Sequence, residues 1–354
     1  MGKDVIYLDP DIIDRHLLHR GWTLTHLSEL LPRTEKQGTR YKNLQRIRQR
    51  HGTLPSFAFA IAKELHADIL SLLAPWDRLY KAPIADGHVS EWEHAGYLRG
   101  GHHVPNGLFF IECRMRHLFT KDRLGRGKFY HLSLIRPDER QELTHKLSRH
   151  ADVCRAVGFH PNITINLSSR PTHSEDGWWV IDDWVGEKNL EEILTSQLWP
   201  QDKLASLLQQ IASGLGALHK AKVVMRELAP SRVLLTDDLT RAVITDFELA
   251  KLLRDVPTVS ATWKDGDKFR APEIIGTDAT PAADLFSLAQ LTAFVLSRGS
   301  EKPSSAASVI TEASLPPKIE KFLVQCLERT PEKRPQEIGS LLDELNRWVE
   351  KTRA

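Results

Sequence analysis

The segment Val223–Leu252 constrains this chain most, because it gathers charged residues between short apolar runs. It reads VVMRELAPSRVLLTDDLTRAVITDFELAKL. Asp246 offers a hard oxygen ligand of the kind that Mg²⁺ prefers, and Glu227 offers a second carboxylate. Arg232 has no acceptor atom and carries a permanent positive charge. The segment therefore combines one candidate metal ligand with a cation that should repel a metal or could instead contact a phosphate oxygen directly.

The same segment resembles the catalytic segment of protein kinases, where a His-Arg-Asp-Leu-Lys-x-x-Asn loop precedes an Asp-Phe-Gly motif. The matching positions here are Met225, Arg226, Glu227, Leu228, Ala229, Pro230, Ser231 and Arg232, then Asp246, Phe247 and Glu248. The resemblance implies that Glu227 stands at the catalytic base position, one methylene further out. It also implies that Ala229 replaces the family's loop Lys and that Arg232 replaces its second-metal Asn, whereas Asp246 keeps the metal ligand.

Glycines upstream of this segment predict turns between strands. Residues 97–110, YLRGGHHVPNGLFF, fit a strand, a turn over a nucleotide and a second strand. The glycines expected to supply the turn conformations are Gly100, Gly101 and Gly107. The run Gly125–Lys128, GRGK, lacks the spacing and the trailing Ser or Thr of a Walker motif. We therefore predict a hairpin turn there.

The kinase resemblance also locates the nucleotide contacts. Ser133 stands where the family has its ATP-binding Lys. Lys128 or Arg114 could reach the phosphates instead. The competing interpretation is that both are solvated surface charges. The helix expected over residues 138–156 should carry a Glu that pairs with this Lys, but near that position stand His150, Ala151 and Asp152. Residues 178–190 resemble the hinge, whose backbone would meet an adenine near Asp183 and Trp184.

Residues that support the kinase fold have counterparts as well. Glu273, in the sequence Ala-Pro-Glu, resembles the residue that closes the activation segment, and Arg334 is its expected bidentate partner. Asp284 matches the helix-borne Asp that anchors the catalytic loop and Arg226. Because the supporting residues persist while the reacting ones are replaced, the resemblance implies a kinase-like fold with impaired phosphoryl transfer.

The first eighty residues or so have a different pattern. Apolar residues recur at helical spacing in short blocks between residues 11 and 75. Breakers such as Gly21, Pro32, Gly38 and Pro55 separate these blocks. Candidate helix N-caps are Thr25 and Ser56. We predict a bundle of four or five short helices.

This bundle resembles the Cro/repressor-type helix-turn-helix domain. An Arg-Gly-x-Thr start at Arg20 leads into a first helix, and residues 41–50 match the recognition helix. The turn predicted between these helices, Pro32–Arg40, is longer than in the family. Between Arg33 and Arg50 there are seven Lys or Arg residues and one acid, Glu35.

Such a basic segment can neutralise phosphates, and amide side chains can read adenine edges. The residues expected to contact DNA are Arg40, Lys42, Asn43, Gln45, Arg46, Gln49 and Arg50. A solvated basic helix face, or an acidic surface on a partner protein, would account for the same charges.

Composition excludes several other classes. Net charge is +2, so the basic character is local. The cysteines lack CxxC spacing and their number, three, is odd, which argues against a disulfide framework and favours a reducing cytoplasm. No apolar run approaches the length of a membrane span, and residues 1–10 lack the features of a signal peptide. The sixteen histidines show no cluster typical of a metal site.

These patterns predict a multidomain chain that joins a small all-α helix-turn-helix bundle to an α+β bilobal protein kinase-like fold. The expected segments are a DNA-binding-like domain over 1–75, a linker over 76–94, an N-lobe over 95–184 and a C-lobe over 185–354.

Two functions remain open from the sequence. The first is a regulator that binds DNA, as a homodimer on a palindrome, and whose kinase-like domain senses a ligand or a partner protein with weak or absent ATP and Mg²⁺ binding. The alternative is an active atypical serine/threonine kinase in stress, toxin or phage-defence signalling, using Glu227 as base and Asp246 as metal ligand.

Overall fold

The computed structural model divides the chain into two compact units. The first contains residues 1–140 and 171–179, and the second contains residues 141–170 and 180–354. The described residues are 6–31, 37–67, 72–74, 88–103, 109–120, 122–132, 137–172, 177–196, 198–226, 228–248, 250–252, 268–275, 279–297 and 305–353.

The N-terminal part of the first unit consists mainly of helices. They are α1 (Pro10–Arg20), α2 (Leu24–Leu30), α3 (Gln37–Arg48) and α4 (Pro55–Glu64). α1 begins where the Asp9 carboxylate accepts the Asp11 N–H at 2.9 Å, and it is followed by Gly21, whose φ of 63° suits a residue without a side chain. Each helix buries apolar residues in one shared core, including Leu17, Leu27, Leu44 and Ile61. The apolar stripes of the sequence therefore meet in the fold.

Both N-caps predicted from the sequence are wrong. Thr23 caps α2, because its hydroxyl accepts the His26 N–H at 3.1 Å, and Thr25 lies inside that helix. α4 begins at Pro55, so Ser56 falls within the helix instead of preceding it. An N-cap needs an extended backbone, and Thr23 has it, with φ of −98° and ψ of 164°.

The recognition-helix candidate also has different bounds. α3 runs from Gln37 to Arg48, so it starts and ends earlier than the predicted range 41–50, and it includes Gly38. The connection from α2 is correspondingly shorter than predicted, and residues 32–36 lie outside the described residues. A helical Gly costs only about 1 kcal/mol, which the packing of Leu44 and Ile47 in the core can offset.

A sheet of six strands is found over the described residues. The strands are β1 (His88–Val89), β2 (Trp92–His103), β3 (Phe109–His117), β4 (Leu124–His131), β5 (Asn166–Pro171) and β6 (Gly177–Asp183). Their order is β1-β2-β3-β4-β6-β5, and β1 to β4 pair in antiparallel fashion. β1 begins within the range predicted as a linker. Gly100 and Gly101 lie in β2, beside a register shift, and not in the predicted turn, whereas Gly107 lies outside the described residues.

The run Gly125–Lys128 is strand, so the hairpin turn predicted there is wrong. Glu112 pairs with Lys128 and Cys113 pairs with Gly127 in the β3–β4 register. A Cβ at Gly127 would come within 2.7 Å of the Met115 side chain. Close packing, and not turn geometry, therefore accounts for this glycine.

Helices dominate the second unit. The helices are α5 (Pro137–Val157), α6 (Leu190–Ser196), α7 (Leu204–Lys220), α8 (Pro281–Leu296), α9 (Ala306–Glu312), α10 (Pro317–Cys326) and α11 (Gly339–Arg353). Short strands lie between α7 and α8, namely β7 (Val223–Val224), β8 (Val233–Leu235), β9 (Ala242–Ile244) and β10 (Lys251–Leu252). α8 is buried along most of its length and anchors the core. Over the described part of the chain, none of the helices combines the length and apolar character that a bilayer crossing requires.

Candidate functional site

The loop after β7 is anchored by Asp284 of α8. The buried Asp284 carboxylate accepts the Met225 N–H at 2.9 Å and the Arg226 N–H at 2.8 Å. His219 Nε2 lies 2.9 Å from the same carboxylate. Arg226 has a φ of 68°, which is uncommon for a residue with a side chain. Asp284 therefore fixes a strained loop backbone through charge-assisted hydrogen bonds.

An ion pair joins the half-buried Glu273 to the buried Arg334. The Arg334 Nη1 and Nη2 atoms donate to the two Glu273 oxygens at 2.6 and 3.0 Å. Arg334 Nε also donates to the Glu328 carbonyl at 2.7 Å. The bidentate geometry lets one side chain bind two distant segments of the second unit.

Arg232 and Asp246 form a buried ion pair with each other. Arg232 Nη1 donates to Asp246 Oδ2 at 2.8 Å, and the two side chains are only 4% and 6% exposed. The Thr245 hydroxyl donates to Asp246 Oδ1 at 3.1 Å, so both carboxylate oxygens have partners. The Thr245 N–H also donates to the Arg232 carbonyl at 3.0 Å, which fixes the two segments side by side.

The surroundings of Asp246 do not fit the magnesium ions that the kinase resemblance implies. Mg²⁺ requires oxygen ligands in near-octahedral geometry. Asp246 instead pairs with the Arg232 guanidinium. Among the described residues, no group of three or more His, Cys, Asp and Glu side chains is arranged to hold a metal. A metal at Asp246 would have to compete with the Arg232 guanidinium for this carboxylate.

Polar contacts hold α5 at His150, near the position where the family has the Glu of its Lys–Glu pair. His150 Nε2 lies 2.9 Å from Asp182 Oδ1 on β6, and both side chains are buried. Asn166 Nδ2 of β5 donates to the same oxygen at 2.9 Å. Burial acts to lower the pKa of His150, but the Asp182 carboxylate outweighs it and raises the pKa above the ordinary value.

Asp182 and Asn166 were not anticipated from the sequence. The signal available was the pair of Asp residues that ends the otherwise apolar strand sequence WWVIDD. A buried carboxylate needs a polar partner, and its partner comes from a helix about thirty residues away in sequence.

Of the neighbours of His150, Ala151 is half-buried and Asp152 pairs with Arg155 on the surface.

The remaining predicted nucleotide contacts are only partly described. The Asp183 N–H donates to the Ile165 carbonyl at 2.9 Å, so this amide is already used within the second unit. Trp184 follows it and is half-buried. Ser133 and Glu227 lie outside the described residues. Glu248, in the glycine position of the Asp-Phe-Gly motif, is described and buried.

Charged side chains are buried on one face of β3 and β4 in the first unit. Arg126 Nη2 donates to Glu112 Oε2 at 2.7 Å, with exposures of 1% and 4%. Lys128 lies two residues further along the same face, and its Nζ is 4.8 Å from the Phe110 ring centroid. Lys128 is therefore a buried residue and not a surface charge, whereas Arg114 is half-buried.

α3 carries its polar side chains on the side away from the bundle core. The exposed residues among those predicted to contact DNA are Lys42, Gln45, Arg46, Gln49 and Arg50, and Asn43 is half-buried. Arg40 is buried and donates to the Leu31 carbonyl, so the structure contradicts its assignment to a DNA-facing surface. Arg40 instead satisfies a backbone acceptor just after α2.

Comparison with known proteins shows similarity to protein kinases. The model of the protein kinase domain family matches residues 123–353. Serine/threonine-protein kinase Sgk3 of Rattus norvegicus is 26% identical over 181 residues, covering 49% of this chain and 36% of that protein. A probable serine/threonine-protein kinase of Clostridium acetobutylicum is 26% identical over 186 residues, covering 48% of this chain and 28% of its own length.

A further relative is the probable serine/threonine-protein kinase PkwA of Thermomonospora curvata. It is 28% identical over 204 residues, covering 54% of this chain and 26% of that protein. The chain thus spans between 26% and 36% of the length of these relatives.

Proposed function

This chain belongs to the protein kinase domain family, and from that premise we propose that it is a regulatory protein whose kinase-like domain is impaired in phosphoryl transfer. Members of this family in general use ATP and Mg²⁺. Here the domain would act as a sensor or scaffold, with weak or absent nucleotide and metal binding.

The buried Arg232–Asp246 pair is the observation that carries this proposal. Phosphoryl transfer depends on metal ions that neutralise charge on the phosphates. Asp246, at the family's metal-ligand position, is bonded to the Arg232 cation at 2.8 Å. Ala229 adds no charge that could take over, because a methyl group cannot stabilise a phosphate oxygen. The domain therefore keeps its supporting ion pairs while the reacting centre is neutralised.

Incubation with labelled ATP and either Mg²⁺ or Mn²⁺ tests the proposal. The full chain should label itself and a generic acceptor protein no more than an Asp246→Asn variant does. Arg232→Asn, which removes the cation and restores the family's residue, should increase metal-dependent nucleotide binding measured by thermal shift. Strong labelling by the unaltered chain that disappears in Asp246→Asn would contradict impaired transfer.

The alternative remains an active atypical serine/threonine kinase. Kinase relatives and the retained Asp246 carboxylate favour it. Under this alternative Glu227 would act as the base, so Glu227→Gln should abolish labelling. Under impaired transfer the same variant should leave every regulatory property unchanged.

We further propose that α3 binds DNA. Its exposed residues Lys42, Gln45 and Arg46 lie at helical spacing, and the exposed Gln49 follows directly after the helix, so these residues continue one stripe. Leu44 and Ile47 fix the opposite side of the helix in the core. A helix anchored in this way can present basic and amide groups to a major groove. An acidic protein surface is the competing partner.

Fluorescence anisotropy with a random-sequence 30-base-pair duplex tests DNA binding. Arg46→Ala should weaken binding several-fold, because it removes a cation from the exposed stripe. Lys63→Ala is the matched control, since Lys63 is an exposed cation on α4 of the same bundle, outside the stripe. Equal losses from both variants, or no binding by the full chain, would contradict this role for α3.

A further inference from the structure

His150 joins three elements of the second unit. It projects from α5 and contacts Asp182 of β6 through Nε2. Its Nδ1 lies 3.2 Å from the Phe247 backbone nitrogen, whose N–H donates to it. The His150 and Phe247 rings also stack, with centroids 5.6 Å apart and an interplanar angle of 22°. One side chain thus holds both the amide and the ring of Phe247.

Phe247 directly follows the residue that pairs with Arg232. Asp246 has a φ of 69°, a conformation that a residue with a side chain adopts only when its surroundings hold it there. On one side Arg232 and Thr245 bind the Asp246 carboxylate. On the other side His150 binds the next amide, so the segment Thr245–Phe247 is fixed from both directions.

We propose that His150 is a positioning residue that ties α5 to the segment Thr245–Phe247 and so holds Asp246 in its pairing geometry with Arg232 without a bound ligand. The contacts involved lie within the second unit, and the inference rests on the proposed function in that it explains what keeps the Asp246–Arg232 pair in place.

The protonation state of His150 controls this connection. Nδ1 can accept the Phe247 N–H only while the ring carries a single proton, on the Nε2 that faces Asp182. The titratable groups that face the ring are Asp182 on β6 and Cys154 on α5, whose Sγ lies 3.8 Å from Nε2. Protonation of Nδ1 would bring two donors together and release the Phe247 amide, while the Asp182 contact persists as an ion pair. Burial acts to lower the pKa of His150, but the Asp182 carboxylate raises it, so the connection is complete only at pH above that raised pKa and is released as the pH falls through it.

Hydrogen–deuterium exchange of the full chain tests the connection. The exchange is measured at a pH above the titration of His150, where the ring carries a single proton. His150→Phe keeps an aromatic ring that can stack on Phe247 but has no acceptor for its N–H. Exchange of the Phe247 amide should become roughly five- to tenfold faster, as expected when one hydrogen bond is lost, while α8 keeps its protection. His145→Phe is the matched control, because His145 is exposed on the same helix, and it should leave exchange unchanged. Unchanged Phe247 exchange in His150→Phe, or equal effects of both variants, would overturn the proposal.

A measurement on the unaltered protein guards against a variant that fails to fold. Nitrogen-15 NMR of the histidine rings should show His150 protonated on Nε2 alone at alkaline pH. As His150 takes up its second proton, protection of the Phe247 amide should fall over the same pH range. A proton on Nδ1 at every pH, or Phe247 protection that ignores the His150 titration, would overturn the proposal.

Discussion

Removing either Arg232 or Asp246 should lower the free energy of unfolding substantially, because both side chains are charged and the remaining one would stay buried. In contrast, Arg48 and Asp14 form an ion pair of similar length, 2.6 Å, with side chains that are 47% and 43% exposed. Water and salt screen an exposed pair, so its contribution is small. The two pairs differ in burial and not in chemistry, which makes them a natural comparison.

Asp246→Ala should lower the free energy of unfolding by about 3–5 kcal/mol, because Arg232 would remain as a buried cation that has lost this partner. Asp14→Ala should lower it by less than about 1 kcal/mol. Urea unfolding of both variants, followed by circular dichroism, gives the comparison. Similar losses in the two variants would show that the Arg232–Asp246 pair is solvated in solution.

The start of α2 depends on a single hydroxyl group. Thr23 has the extended backbone of an N-cap and accepts the His26 N–H, whereas Thr25, two residues later, is exposed within the helix. The same residue type therefore has different roles at neighbouring positions. α2 is short, so its stability relies on capping and on its apolar contacts with the bundle core.

Thr23→Ala should destabilise the chain by about 0.5–2 kcal/mol, since the His26 N–H loses its acceptor. Thr25→Ala should change stability by less than about 0.5 kcal/mol, because it removes an exposed side chain. Thermal unfolding of both variants, followed by circular dichroism, distinguishes the two. A larger effect at Thr25 would show that α2 starts later than Leu24.

The whole molecule has a net charge of +2, yet the stretch between Arg33 and Arg50 concentrates seven basic residues against one acid. Binding to DNA through this stretch would release counterions in proportion to the phosphates contacted. Binding spread over the nearly neutral remainder of the chain would release few. Salt dependence therefore reports which part of the molecule meets the nucleic acid.

The DNA affinity of the full chain should fall steeply between 50 and 200 mM salt, with a slope of log affinity against log salt of about −0.9 for each phosphate contacted. Arg46→Ala should reduce the magnitude of that slope by about one. Lys63→Ala should leave it unchanged. A shallow slope for the unaltered chain would argue that α3 binds a protein surface instead.

The sequence by itself determined the kinase family, because motifs such as Ala-Pro-Glu and Asp-Phe occur in order along the chain, and order and spacing survive replacement of individual residues. It also located the helical stripes of the N-terminal bundle, since helical periodicity is a local property. Side-chain partners were decided only by the tertiary structure. Arg232 meets Asp246, His150 meets Asp182, and Arg40 turns inward to Leu31, because each of these polar groups is buried and must find a partner supplied by another segment of the chain.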